Sequence, residues 1–197
     1  MSHQDAERWN SRYSEEGEEW LERQPRQILR DYARLLPDQG LALDAAAGVA
    51  NNGFFLAQRG LRVIALDISE TALRLATRRA RSHGLPLYAA VYDLADPWLP
   101  ANHFDVIVNS HFLERATFIV YRKALKPGGL LFFETFVQIA ASTARPDYYL
   151  DPGELRTAFQ DFEILHWEEE RTPQSAAHPD RGVARLVARK PKRRNCR

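Results

Sequence analysis

Leu41-Ala-Leu-Asp-Ala-Ala-Ala-Gly-Val-Ala-Asn-Asn52 and, further on, Val63-Ile-Ala-Leu-Asp-Ile-Ser69 decide how the rest of this chain is read. The first stretch is a short apolar strand that ends in a turn of small residues and opens a helix. The second is another strand, ending in an acid. Asp67 follows Gly48 by 19 positions, close to the roughly 20-residue spacing between a nucleotide-binding turn and a ribose-binding carboxylate. A turn almost without side chains lets a ligand lie against the backbone, and a carboxylate at the next strand end can accept two sugar hydroxyls. The pair points to a nucleoside-containing cofactor.

Outward from this motif, apolar strands alternate with helical patterns. Strands are expected at 41–45, 62–66, 87–92, 104–109 and 129–136, and helices at 51–60, 70–82 and 113–125. Ser69 suits the cap of the second of these helices. Phe104-Asp-Val-Ile-Val-Asn109 is apolar enough for a strand covered on both faces. Lys126-Pro-Gly-Gly129 reads as a turn. Upstream, Ile28, Leu29, Tyr32, Leu35 and Leu36 recur at helical spacing and Pro37 ends the run, so residues 1–40 form a helical cap. Downstream, 137–150 reads as a loop and Asp151-Pro152 as the cap and first residue of a short helix. Phe162–Glu168 and Val183–Arg189 are strand-like, with no room between them for a crossover helix, so they pair antiparallel. The fold class that follows is α/β: a doubly wound, mostly parallel seven-stranded sheet with a terminal antiparallel hairpin. One domain over 1–190 and a basic flexible tail over 191–197 are expected.

The bulk numbers bound the function. In 197 residues, 27 Lys and Arg against 26 Asp and Glu leave a formal charge of +1, so no strong field draws the chain to nucleic acid or a membrane surface. The single Cys196 excludes an internal disulfide and fits a reducing compartment. No apolar run approaches the roughly 18 residues of a membrane span. A cytoplasmic protein, monomeric or weakly dimeric and without a metal, is expected.

On these residues the chain resembles the class I S-adenosylmethionine-dependent methyltransferases, over nearly its whole length. Within that family it looks most like the small tellurite-resistance and thiopurine methyltransferase group. The narrower likeness rests on Trp9-Asn-Ser-Arg-Tyr13, Asn51-Asn52 leading into Phe54–Gly60, His111-Phe-Leu-Glu-Arg115 and Phe133-Glu-Thr-Phe136. The resemblance implies a Rossmann-like methyltransferase fold and S-adenosylmethionine as cofactor. Asp44 takes the place of the family's first acid. Ala46, Gly48 and Ala50, with Ala47 between them, stand in its glycine turn, where only the middle glycine is kept; Gly48 is therefore expected to carry any positive-φ geometry. Asp67 would hold the ribose, with Ile68 against the adenine. Asp93 and the Leu94 backbone would meet the adenine edge. Asn109 and Ser110 would lie near the cofactor's methionine amine, Asn52 would also belong to the cofactor site, and Arg12 and Tyr13 would close over it from the N-terminal helix. Asp44 also reads as a helix cap, Asp93 as a turn residue, and Trp9 and Tyr13 as plain core.

Methyl transfer from a sulfonium needs orientation above all. An oxygen acceptor also needs a base, for which His111 and Glu134 are the candidates, His111 being the catalytic assignment. A small-molecule acceptor is expected. Two rivals share the motif. An NAD-dependent oxidoreductase ordinarily has three glycines beside its pyrophosphate, and this chain keeps one. A catalytically silent S-adenosylmethionine-binding protein differs only in lacking turnover. The Asn109-Ser-His-Phe112 stretch lacks the Pro-Pro-aromatic signature of amino-methylating DNA enzymes, and no basic stripe of groove size is present.

Overall fold

A computed structural model describes residues 3–138, 148–171 and 181–192. Seven strands form one sheet: β1 (Gly40–Ala45), β2 (Leu61–Asp67), β3 (Leu87–Val91), β4 (Phe104–Ser110), β5 (Leu125–Gln138), β6 (Glu163–Arg171) and β7 (Arg181–Arg189). Their order across the sheet is β3-β2-β1-β4-β5-β7-β6. The first five are parallel, and β7 lies antiparallel between β5 and β6. This is the α/β architecture that the alternating pattern predicts, including the terminal hairpin.

Each face of the sheet buries its own core. Leu43, Ile107, Leu131, Phe133 and Leu186 pack on one side with Tyr121 and Phe159. Ala42, Val63, Val106, Val108, Phe132 and Val187 pack on the other with Leu29, Leu56 and Leu73. Adjacent residues Val106 and Ile107 thus serve opposite faces, which explains why β4 reads as an unbroken apolar run.

The helices are α1 (His3–Leu21), α2 (Gln27–Asp31), α3 (Asn51–Ala57), α4 (Glu70–Ser82), α5 (Ala116–Ala124) and α6 (Glu154–Ala158). α4 has the expected bounds, and the Ser69 hydroxyl accepts the Ala72 N–H as its cap. α3 and α5 are shorter than their periodicity suggests. The helical cap over 1–40 is broken: Pro25 separates α1 from α2, and Ala33–Leu35 tightens into a 3₁₀ turn, although Ile28 and Leu29 are buried as the spacing implies.

Three local expectations are corrected. Lys126-Pro-Gly-Gly129 lies within β5, as a jump in register: Phe104 pairs Leu125 while Val106 pairs Leu130, and Gly128 takes φ +84°. β5 runs on through Gln138, past the start of the loop expected from 137, and Leu150 is clipped back by hydrogen bonds to Phe136 and Gln138. α6 starts at Glu154, after Gly153 at φ +76°, so Gly153 and not Asp151 holds the cap position; the Glu154 carboxylate accepts the Asp151 N–H instead. The Thr172–Asp180 part of the last connection, residues 139–147, and residues 193–197 with Cys196 lie outside the described residues. Among the described residues no helix is long and apolar enough to cross a membrane.

Phe133 is fully buried and packs edge-on to Phe118, ring centroids 5.7 Å apart. Phe133→Ala should lower the unfolding free energy by about 3–5 kcal/mol, read from urea melts.

Candidate cofactor and acceptor site

The turn after β1 is left-handed at three places: Ala46 (φ +50°), Gly48 (φ +54°) and Ala50 (φ +56°). Sequence reasoning left this geometry to Gly48 alone. The two alanines adopt it as well, at roughly 1–2 kcal/mol each relative to their favoured backbone. The turn is held by its surroundings. The Ala47 N–H donates to the Leu66 carbonyl, and the Gly48 N–H donates to Asp67 Oδ2 at 2.7 Å. Asp67 Oδ1 accepts the Ser69 N–H at 2.8 Å. Asp67 thus ties the turn after β1 to the turn after β2, each oxygen keeping a further lone pair. Burial pushes its carboxyl up, against the pull of these amide donors.

Asp44, at the end of β1, is 1% exposed. Its Oδ2 accepts the Gly53 N–H in the first turn of α3 at 2.7 Å, so the helix-cap reading of this acid is part of the picture. Its Oδ1 has no partner among the described residues. Burial pushes this carboxyl up to about 7. Asn52 joins three elements: its Oδ1 accepts the Arg26 N–H, and its Nδ2 donates to Ser110 Oγ at the end of β4. Asn109 is fully buried and turns inward, donating to the Phe112 carbonyl and accepting from the Tyr121 hydroxyl.

At the end of β2, Ile68 is half-buried beside Asp67. Asp93 is exposed after β3 and accepts the Ala95 N–H, while Leu94 is buried in the core. Over the turn lies α1. Tyr13 is buried between Trp9 and Trp20, ring centroids 5.8 and 5.2 Å away. A Cβ on Gly48 would run into the Tyr13 hydroxyl. Burial, reinforced by Asp67, raises the Tyr13 phenol above its ordinary range, so it is neutral. Arg12 is exposed on the same helix, pairing with Glu16 and lying against Trp9 and Trp20. The helix is pinned by Asn10 Oδ1, which accepts the Ser69 hydroxyl and the Thr71 N–H, and by Asn51, which donates to the Trp20 carbonyl.

Next to the turn is a charged cluster that sequence reasoning found only in part. His111 has φ +54°, and its N–H donates to the Glu134 carbonyl. Its Nδ1 meets Arg26 Nη2 at 3.2 Å and its Nε2 meets Glu134 Oε1 at 3.1 Å. Because a guanidinium can only donate, Nδ1 is the acceptor and the ring proton sits on Nε2, directed at Glu134. The ring leans on Phe136 at 4.8 Å. Burial opposes charge on Glu134, but His111, Arg26 and Arg185 together hold its carboxyl below the usual range. Ser110, Glu134, Arg185 and Glu168 are register partners across β4, β5, β7 and β6. Arg185 donates to Glu134, Glu168 and Glu170 at 2.9, 2.6 and 2.9 Å. The one sequence signal for Arg185 was a lone charge inside Val183-Ala-Arg-Leu-Val-Ala188; Arg26 had none beyond following Pro25.

Two tests follow from this geometry. Ala46→Gly and Ala50→Gly should each stabilise the protein by about 0.5–1 kcal/mol, relief of left-handed strain exceeding the entropy of glycine; thermal or urea melts measure it. The Asp44 carboxyl, shifted from 3.8 to about 7, binds its proton more tightly when folded. Its contribution is complete below about pH 4 and lost as pH rises through about 7. Urea unfolding should show stability falling across that window, and Asp44→Asn should flatten the fall.

A family described as a methyltransferase domain matches residues 42–129, from β1 into the start of β5. No curated protein matches the chain. Among solved structures, TehB from Haemophilus influenzae is 20% identical with TM-score 0.69, over 82% of this chain and 61% of TehB. An S-adenosylmethionine-dependent methyltransferase from Methanosarcina mazei is 20% identical with TM-score 0.66, over 86% of this chain and 100% of its own. Phosphoethanolamine N-methyltransferase 2 of Haemonchus contortus, in complex with S-adenosyl-L-methionine, is 17% identical with TM-score 0.70, over 84% of this chain and 52% of its own. This chain therefore spans less than two thirds of TehB. Likeness at such identities establishes the fold, which this chain shares with S-adenosylmethionine-dependent methyltransferases, and the methyltransferase-domain match covers residues 42–129, a little under half of the chain.

Proposed function

We propose that the protein transfers a methyl group from S-adenosylmethionine to a small-molecule acceptor by in-line displacement, with residues 1–190 as its single working domain. The observation that carries this reading is the Asp67 clamp on the Gly48 turn, where two strand ends meet under α1. One feature fits the cofactor: the buried Asp44 Oδ1 that lacks a partner among the described residues. In this reading Asp67 and Ile68 hold the ribose and adenine, Asp93 and Leu94 the adenine edge, and Ala46–Gly48, Asp44, Asn52 and Ser110 the amino-acid arm, while the inward-turned Asn109 braces the end of β4 behind them. Tyr13 and Arg12 close the site from α1 and keep water from it.

The bound cofactor supplies an electrophilic methyl group on a positive sulfur. The chain's own part is orientation and proton handling. For a protic acceptor, His111 takes the proton at Nδ1 while Nε2–H stays on Glu134, whose negative charge favours the imidazolium that results. Small acceptors are supported by the Haemonchus contortus structure, which was also determined with phosphomonomethylethanolamine and S-adenosylhomocysteine.

Calorimetric titration with S-adenosylhomocysteine tests the cofactor. Micromolar binding by the wild type is expected, with Asp67→Asn weakening it about tenfold or more, as loss of a charged hydrogen-bond acceptor implies. Binding of NAD in its place would overturn the reading. For a protic acceptor, His111→Ala should lower kcat by about 10²–10⁴ while leaving S-adenosylhomocysteine affinity intact. Cofactor binding with no methylated product across a broad acceptor panel would make the protein a silent binder instead.

A further inference from the structure

Arg26 stands in the short link between α1 and α2, its main-chain N–H fixed on Asn52. Its guanidinium carries five N–H donors. Among the described residues it makes one side-chain hydrogen bond, 3.2 Å to His111 Nδ1. Its approach to Glu134 is 3.7 Å, too long for a hydrogen bond. Glu134 is better served from elsewhere, by His111 at 3.1 Å and Arg185 at 2.9 Å. Arg185, in the same cluster, makes three close bonds to three carboxylates. Arg26 is therefore a cation with donors to spare. Burial, worsened by Arg23 and Arg185 and only partly offset by Glu134 and Asp44, lowers the pKa of its guanidinium from the ordinary value. The side chain is nonetheless 37% exposed, beside a 32%-exposed His111 that leans on Phe136.

An under-used guanidinium fork, partly buried next to an aromatic ring and an imidazole, suits one kind of guest. A planar carboxylate accepts two parallel N–H donors from it. We propose that Arg26 receives a carboxylate of the methyl acceptor, so that the substrates are small organic acids whose nucleophilic atom lies close to the acid group. This rests on the methyl-transfer reading above. Glu168 and Glu170 do not compete for the fork, because Arg185 occupies both. Binding of the acid also draws the guanidinium from Nδ1, leaving that lone pair to face the acceptor. Arg26 thereby sets specificity without touching the methyl group.

The test uses wild-type protein saturated with S-adenosylhomocysteine and titrated calorimetrically with matched pairs: salicylate and salicylamide, anthranilate and anthranilamide, 4-hydroxybenzoate and 4-hydroxybenzamide. At least one acid should bind about tenfold or more tighter than its amide. Arg26→Ala should erase that preference, Arg26→Lys should keep part of it, and the melting temperature and S-adenosylhomocysteine affinity should stay unchanged in both. Equal affinity for acids and amides, no binding of any acid, or a preference that survives Arg26→Ala overturns the proposal. A loss of S-adenosylhomocysteine binding in Arg26→Ala, with 5′-methylthioadenosine binding retained, assigns the guanidinium to the cofactor's own carboxylate and also overturns it. Failure of the wild type to bind S-adenosylhomocysteine at all is a different result, since it removes the methyl-transfer reading itself.

Discussion

The carboxylate of Asp67 accepting the Gly48 N–H is the contact around which the molecule is organised. It joins the ends of two adjacent parallel strands at the edge where open α/β sheets receive ligands. Through Asp67 Oδ1 it also fixes Ser69, the cap of α4, and Ser69 in turn holds α1 through Asn10. One side chain thus sets the turn, the helix start and the placement of the N-terminal helix. Because both oxygens already take backbone donors, the clamp stands ready before any guest arrives, which is how a site avoids ordering itself at the moment of binding.

The strain in the turn is the counterpart of that order. Three left-handed residues in five, two of them alanines, persist because β1, β2 and α3 over-determine the backbone there. His111 shows the same thing at the end of β4: a non-glycine residue at positive φ, held by its N–H on the Glu134 carbonyl and its ring between Arg26, Glu134 and Phe136. Such outliers gather where a structure holds groups for use.

What the chain declared in advance, and what it concealed, follows from the range of the forces involved. The sheet and its hairpin were legible because strand and helix periods are local and the connection lengths leave little choice of topology. The spacing of Gly48 and Asp67 was legible for the same reason. The left-handed alanines were not, since nothing in an Ala-Ala-Ala-Gly-Val-Ala run says which residue the surrounding elements will force. Arg26 and Arg185 were hidden more deeply. Their neighbours come from β5, β6 and the end of β4, and cross-strand register is a property of the assembled sheet. The breaks around Pro25 and at Gly153 were visible as residues, but the choice between a continued helix and a fresh start lay in the packing of Ile28, Leu29 and Leu155 against the core.

The antiparallel insertion of β7 has a bearing on how the molecule comes into being. β5 and β6 do not pair with each other in the sheet; they meet only through β7, which is made after both. The half built on β1 to β3 can therefore take shape on a growing chain while the half that bears Glu134 still has an open seam. Until residues 181–189 emerge and fill that seam, Glu134 lacks Arg185, and the charged cluster around His111 stays unfinished while the Gly48 turn is already built.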